Sequence, residues 1–107
     1  EENPREAFKW YQKAAEQNYA PAMFVTGNMY FFGTAVEKDL QEAFKWYQKA
    51  ADTGMAVAEF RVGELYEAGQ GVEKDHEKAL FWIRKAAKAG EKLAVEWLQA
   101  MGEAVEA

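Results

Sequence analysis

Nine residues, Ala7-Phe8-Lys9-Trp10-Tyr11-Gln12-Lys13-Ala14-Ala15, recur unchanged as Ala43-Phe44-Lys45-Trp46-Tyr47-Gln48-Lys49-Ala50-Ala51. They return in eroded form as Ala79-Leu80-Phe81-Trp82-Ile83-Arg84-Lys85-Ala86-Ala87, and both intervals are 36 residues. A repeat in the range of about 20–50 residues marks a chain that stacks one supersecondary unit on the next, each unit burying its apolar face against a neighbour. Such a chain has few options: it is a solenoid or an array, and its function lies on the surface that stacking creates.

Each period contains two helical patterns. Ala43, Trp46, Tyr47, Ala50 and Ala51 follow i, i+3, i+4, i+7, i+8, while Lys45, Gln48 and Lys49 fall on the other side, so one face is apolar and one is wet. Asp39 with Glu42 three residues later has the spacing of a capping box, in which two side chains satisfy free N–H groups of a first turn. Asn3 with Glu6 repeats it, with Pro4 at the first helical position, and Asp75 repeats the cap with Lys78 in the reciprocal place. The partner helices are predicted over 20–32, 56–68 and 92–106. They follow Asn18, Gly54 and Gly90, again 36 apart, residue types that tolerate the left-handed conformation ending many helices. Gly33 and Gly69 open the loops to the next cap, and Val36 and Val72 are placed to tuck back onto the core. The units read as a half repeat over about 1–18, then 19–54, 55–90, and a C-terminal capping helix within 91–107. Because the chain starts in the middle of a repeat, it reads as a piece of a longer protein or a processed product.

Composition narrows the partners. The 107 residues carry 13 Lys and Arg against 18 Asp and Glu, a net charge of -5 and a pI of about 4.9, which argue against affinity for nucleic-acid phosphates or anionic lipid. A neutral or basic partner fits better. Cysteine is absent, which removes disulfides and thiolate metal sites, and no apolar run approaches the roughly 20 residues that span a bilayer.

The helix pair with A-x-x-W-Y-x-K-A-A, then a small-residue helix with L-G-x-x-Y variants, then G-x-G-V-x-K-D, resembles the Sel1-like repeat, a relative of the tetratricopeptide repeat. Ala43, Trp46, Tyr47, Lys49, Ala50, Ala51, Gly54, Ala56, Ala58, Gly63, Tyr66, Gly69, Gly71, Val72, Lys74 and Asp75 carry the resemblance. Thr26 and Val62 stand where the family usually has leucine, Ala35 replaces the second loop glycine, and the last helix loses the Gly and Tyr of the pattern, as a terminal cap would. The resemblance implies an all-α solenoid of antiparallel helix pairs, about six helices wound into a right-handed superhelix. It also implies a scaffold for protein contacts instead of a catalyst, in bacteria often exported or periplasmic.

On a helical wheel, Ala22, Met23, Thr26, Gly27 and Tyr30 form one side of the 20–32 helix, assigned to the core. Phe24, Asn28 and Phe31 form the adjacent side, and Phe60, Glu64 and Glu67 occupy the matching places one unit on. By analogy with tetratricopeptide units these helices line the concave surface, making the six residues candidate partner contacts, the aromatics as anchors and the glutamates as selectors. Aromatics at helical spacing also serve as core, so Phe24 and Phe60 have a competing role between units. The helices over 20–32, 56–68 and 92–106 carry net charges of 0, -2 and -2, which suggests an acidic groove that steers a basic peptide. The 20–32 helix has no charge and is apolar around most of its circumference, so something covers it. Phe8, Trp10 and Tyr11 have an uncovered edge, because the helix that would pair with theirs is not in the chain. That edge suggests self-association.

Catalytic constellations are missing. His76 is the only imidazole and sits in the first turn of a capped helix; serine is absent, and Thr26, Thr34 and Thr53 have no local base. Glu64 and Glu67 lie one turn apart without a calcium-loop pattern, and Gly69-Gln70-Gly71 is a turn signal instead of a nucleotide fingerprint. No cofactor and no metal is expected. The chain reads as a non-enzymatic scaffold or adaptor that binds a protein or extended peptide on its concave side; the alternative is a structural spacer or oligomerisation segment.

Overall fold

A computed structural model describes residues 3–103. Six helices follow one another: α1 (Pro4–Glu16), α2 (Ala20–Phe32), α3 (Leu40–Asp52), α4 (Ala56–Ala68), α5 (His76–Lys88) and α6 (Lys92–Ala100). The first five all have 13 residues and α1, α3 and α5 start 36 residues apart, so the sequence period is also the structural one. Each helix packs on the next along the chain, which yields an elongated body of 44 × 23 × 23 Å. The chain is an all-α solenoid.

The odd and even helices differ for a physical reason. On α3 the buried residues are Ala43, Trp46, Tyr47, Ala50 and Ala51, one stripe of an amphipathic helix. The even helices α2 and α4 are enclosed by odd helices on two sides, so burial spreads around them: Ala22, Met23, Thr26, Gly27 and Met29 on α2, and Ala58, Glu59, Phe60, Val62, Gly63 and Leu65 on α4. That accounts for the uncharged α2, which α1 and α3 cover.

Two glycines set how closely an even helix approaches the odd helix that follows. A Cβ on Gly27 would lie 2.8 Å from Tyr47 Cδ1, and one on Gly63 would lie 2.4 Å from Ile83 Cγ1 and 3.0 Å from the Ala79 carbonyl oxygen. Both crossings use the same pair of repeat positions, so the two helix pairs share one geometry.

The capping differs from the expected box. Asp39 and Asp75 accept from the N–H groups of Glu42 and Lys78 at 3.1 and 3.0 Å, as the spacing predicts. The reciprocal half does not form, because the Asp39 N–H donates to the Tyr30 carbonyl at 2.9 Å and the Asp75 N–H to the Tyr66 carbonyl at 3.0 Å. Each cap residue therefore ties its loop back to the preceding even helix. Glu42 turns instead to Lys45, 3.1 Å away. At the first helix Asn3 accepts from Arg5, one residue nearer than a box requires. The last helix ends at Ala100, followed by Gly102 at φ 73°, and not near residue 106; residues 104–107 lie outside the described residues.

In the loop after α2, Ala35 holds φ 66°, and in the loop after α4 the equivalent Gly71 holds φ 72°. Val72 packs against the core as expected. The core runs as two neighbouring clusters, one around Tyr47, Trp46, Val62 and Leu65, the other around Phe60, Ile83 and Leu98.

Candidate functional site

A cleft of about 320 Å³ opens across α2, α4 and α6. Its walls come from the C-terminal end of α2 (Phe31, Phe32), from one stripe of α4 (Arg61, Glu64, Leu65, Glu67, Ala68), from Gln70 in the loop, and from Trp97 on α6. Tyr47 reaches in from α3. The stripe on α4 exists because Arg61, Glu64, Glu67 and Ala68 are spaced at i, i+3, i+6 and i+7, about one face of a helix. Phe32 is exposed because Gly33, left-handed at φ 72°, stops α2 directly after it.

Three of the six expected contacts line this cleft: Phe31, Glu64 and Glu67. Asn28 stands beside it as the acceptor of the Tyr47 hydroxyl. Phe24 is half-buried, packs against the core and lies 5.6 Å from the Tyr47 ring in a tilted arrangement. Phe60 is taken from the surface altogether, 4% exposed, because α5 and α6 supply Ile83, Ala87 and Leu98 to its cluster. Sequence reasoning missed Phe32, Tyr47, Arg61, Leu65, Ala68, Gln70 and Trp97. One signal was available: Val25, Arg61 and Trp97 are a single repeat column, 36 residues apart, whose chemistry changes completely from unit to unit while the buried column Ala22, Ala58 and Ala94 holds.

Both carboxylates of the cleft have a partner, one inside it and one beyond its lining. Arg61 Nη1 lies 2.6 Å from Glu64 Oε1, and Glu67 Oε1 lies 2.7 Å from His76 Nδ1. Glu59, counted among the acidic residues of α4, is 2% exposed and contributes nothing to a surface. At the rim of the cleft Arg61 answers Glu64, while Glu67 shares a hydrogen bond with the His76 ring. The Tyr47 hydroxyl is pushed up to about 12, chiefly by burial, with Arg61 opposing and Glu64 reinforcing the shift, so it stays a neutral donor to Asn28.

Chemically the cleft offers aromatic surface, one guanidinium, two carboxylates and one side-chain amide, with the Asn28 amide beside it. No hydroxyl or thiol nucleophile stands next to a base in it, and among the described residues no three His, Cys, Asp or Glu side chains converge as metal ligands. Among the described residues no helix is long and apolar enough to cross a membrane.

The Sel1 repeat family profile matches residues 1–19, 20–55 and 56–91. No curated protein matches the chain. A Sel1 repeat protein from Oxalobacter formigenes is 40% identical with a TM-score of 0.85, covering 98% of this chain and 45% of its own. A protective antigen of uropathogenic Escherichia coli with an SLR fold is 32% identical at a TM-score of 0.85, over 95% of this chain and 22% of the other. Cysteine rich protein B of Helicobacter pylori is 30% identical at a TM-score of 0.85, over 91% and 73%. The chain thus spans less than half the length of the first two.

Proposed function

Because the chain belongs to the Sel1 repeat family, whose members are in general non-catalytic scaffolds for protein–protein contacts, we propose that it binds a segment of another protein in the cleft across α2, α4 and α6. The observation that carries this reading is the exposed ring of Phe32 with the half-buried rings of Phe31 and Trp97, lying beside the Arg61–Glu64 pair in one continuous depression. Aromatic side chains next to an arginine are the composition of interface hot spots, where burial of the ring supplies affinity and flanking polar groups supply register. The partner's apolar side chain takes the floor; its polar groups meet Asn28, Arg61, Glu64, Glu67 and Gln70. A basic group on the partner has to compete with Arg61 for Glu64, so charge tunes the association rate more than it sets affinity.

Selection of peptides from a random library against the wild-type chain, followed by binding to Phe31→Ala and Trp97→Ala chains of unchanged helicity, tests the site. Ligands should weaken by about tenfold or more on loss of either ring. Selected ligands that all bind both variants as tightly as the wild type would reject the cleft. Glu64→Lys should slow association of a lysine-bearing ligand.

A second reading, self-association, has its own observation. Trp10 and Tyr11 on α1 are 73% and 41% exposed, whereas Trp46 and Tyr47, in the same nonapeptide on α3, are 8% and 1% exposed. Phe8 is half-buried, edge-on against Tyr30 at 5.6 Å, so the open patch is narrower than the sequence suggests. Sedimentation over a range of concentrations separates the readings: a chain that stays monomeric leaves only the cleft.

A further inference from the structure

The repeat supplies its own control for the outward side of the odd helices. On α3, Lys45 pairs with Glu42 at 3.1 Å and Gln48 Nε2 donates to Asp52 at 3.0 Å. On α1, Gln12 Nε2 donates to Glu16 at 3.4 Å, the same pair one period earlier. On α5 both arrangements are dismantled. Lys78 and Phe81 replace Glu42 and Lys45, and Arg84 and Lys88 replace Gln48 and Asp52. The inward side of the same helix keeps its template, with Ala79, Ile83, Ala86 and Ala87 buried where Ala43, Tyr47, Ala50 and Ala51 are buried. Folding demands therefore did not drive the outward changes.

Those changes have a sign. Two cations at i, i+4 disfavour a helix where the Gln–Asp pair favoured it, and Phe81, 60% exposed, places an aromatic ring in water where α1 and α3 have lysine. Arg84 recovers a partner in Glu103 at 2.9 Å. Lys85 lies over the Trp82 ring at 5.1 Å, and no ion pair of Lys88 occurs among the described residues. Phe81, Lys85 and Lys88 fall at i, i+4 and i+7 along a shallow depression of about 480 Å³ that Glu77 and Arg84 complete. A chain of net charge -5 thus concentrates cations and a bare ring on one helix face, away from the cleft.

We propose that the outward face of α5 is a second docking surface, for an acidic protein segment that carries an apolar side chain. The apolar side chain lies against Phe81, and the flanking carboxylates meet Lys85 and Lys88, a match of charge and shape that α3, with Lys45 paired to Glu42 and Trp46 buried, does not offer. The surface is independent of the cleft across α2, α4 and α6.

The test uses the whole chain, labelled with ¹⁵N, and a blocked synthetic pentapeptide of four glutamates around a central phenylalanine. Amide shifts should move along residues 77–89 and the binding should weaken toward about 0.5 M salt. The chain with Phe81→Lys and Lys88→Asp, which installs the residues of Lys45 and Asp52 and should fold as α3 does, is expected to bind about tenfold more weakly. A peptide with glutamine for glutamate should show a similar loss. Equal binding by the double variant, shifts confined to the cleft, or no shifts at all would overturn the proposal. Cosedimentation with phosphatidylserine vesicles without peptide binding would assign the face to anionic lipid instead, and peptide-independent dimerisation lost in the double variant would assign it to a second copy of this chain.

Discussion

The Tyr47 hydroxyl on α3 donates to the side-chain oxygen of Asn28 on α2, at the border between the core and the cleft. Tyr47 itself is 1% exposed and packs its ring over Gly27, so one residue closes a helix crossing and orients a polar group beside the cleft.

Removing that hydroxyl should be felt in stability. Tyr47→Phe keeps the ring on Gly27 but leaves the Asn28 oxygen without its donor, an expected loss of about 1–2 kcal/mol in urea unfolding. The pH dependence has a defined sign. The folded pKa of about 12 exceeds the usual 10.0, so the neutral phenol contributes stability fully below pH 10.0, and this is lost as pH rises toward about 12. Spectrophotometric titration, with the Tyr47→Phe chain assigning the signal, should show Tyr47 ionising well above pH 10; ionisation of Tyr47 near pH 10 in the folded chain would refute the geometry.

Gly63→Ala should destabilise although alanine favours helices by about 1 kcal/mol. The added Cβ meets Ile83 Cγ1 at 2.4 Å and a backbone oxygen at 3.0 Å, and backbone cannot rotate away. A net loss of about 1–3 kcal/mol is expected. Combining it with Ile83→Ala, which removes the clashing Cγ1, should cost less than the sum of the two single losses, and a thermal melt of the three variants reads the coupling.

The two loops predict opposite signs for exchanging the same two residues. Ala35 adopts φ 66°, a strained conformation for any residue with a Cβ, so Ala35→Gly should stabilise by about 0.5–1 kcal/mol. Gly71→Ala should cost more than about 2 kcal/mol, because its Cβ would sit 2.1 Å from the Leu40 carbonyl oxygen as well as at positive φ. Chemical denaturation of the two variants checks both.

Among the described residues Thr26 Oγ1 and Glu59 Oε1 are buried without hydrogen-bond partners, and the repeat shows apolar residues at the same columns. Thr26→Val, after Val62, and Glu59→Met, after Met23, should each stabilise by about 1–3 kcal/mol. Burial raises the Glu59 carboxyl, with Lys85 opposing it. The protonated form is therefore favoured in the fold: stability is greatest below the unfolded carboxylate value and declines as pH rises through the raised folded one. In the Glu59→Met chain this part of the pH profile should disappear.

Much of the architecture was legible because it rests on local rules repeated three times. The caps at Asp39 and Asp75, the stops after Phe32 and Ala68, and the apolar stripe of α3 follow from side-chain chemistry within a few residues. The candidate site was only half legible. A helical wheel put Phe60 beside Glu64 correctly, but burial of Phe60 depends on α5 and α6, residues 16 or more positions away. The pairing of Glu64 with Arg61 and of Glu67 with His76 depends on rotamers and neighbours that no wheel contains.

The nonapeptide draws the line most sharply. Its letters alone determined a 13-residue amphipathic helix in both copies, since hydrophobic spacing and capping act within one helix. They could not determine that Trp46 would be 8% exposed and Trp10 73%, because burial is a property of the helix on the other side, and α1 has no even-numbered helix before it among the described residues. Local sequence set the helices and their period; stacking decided which of two identical faces became core and which met water.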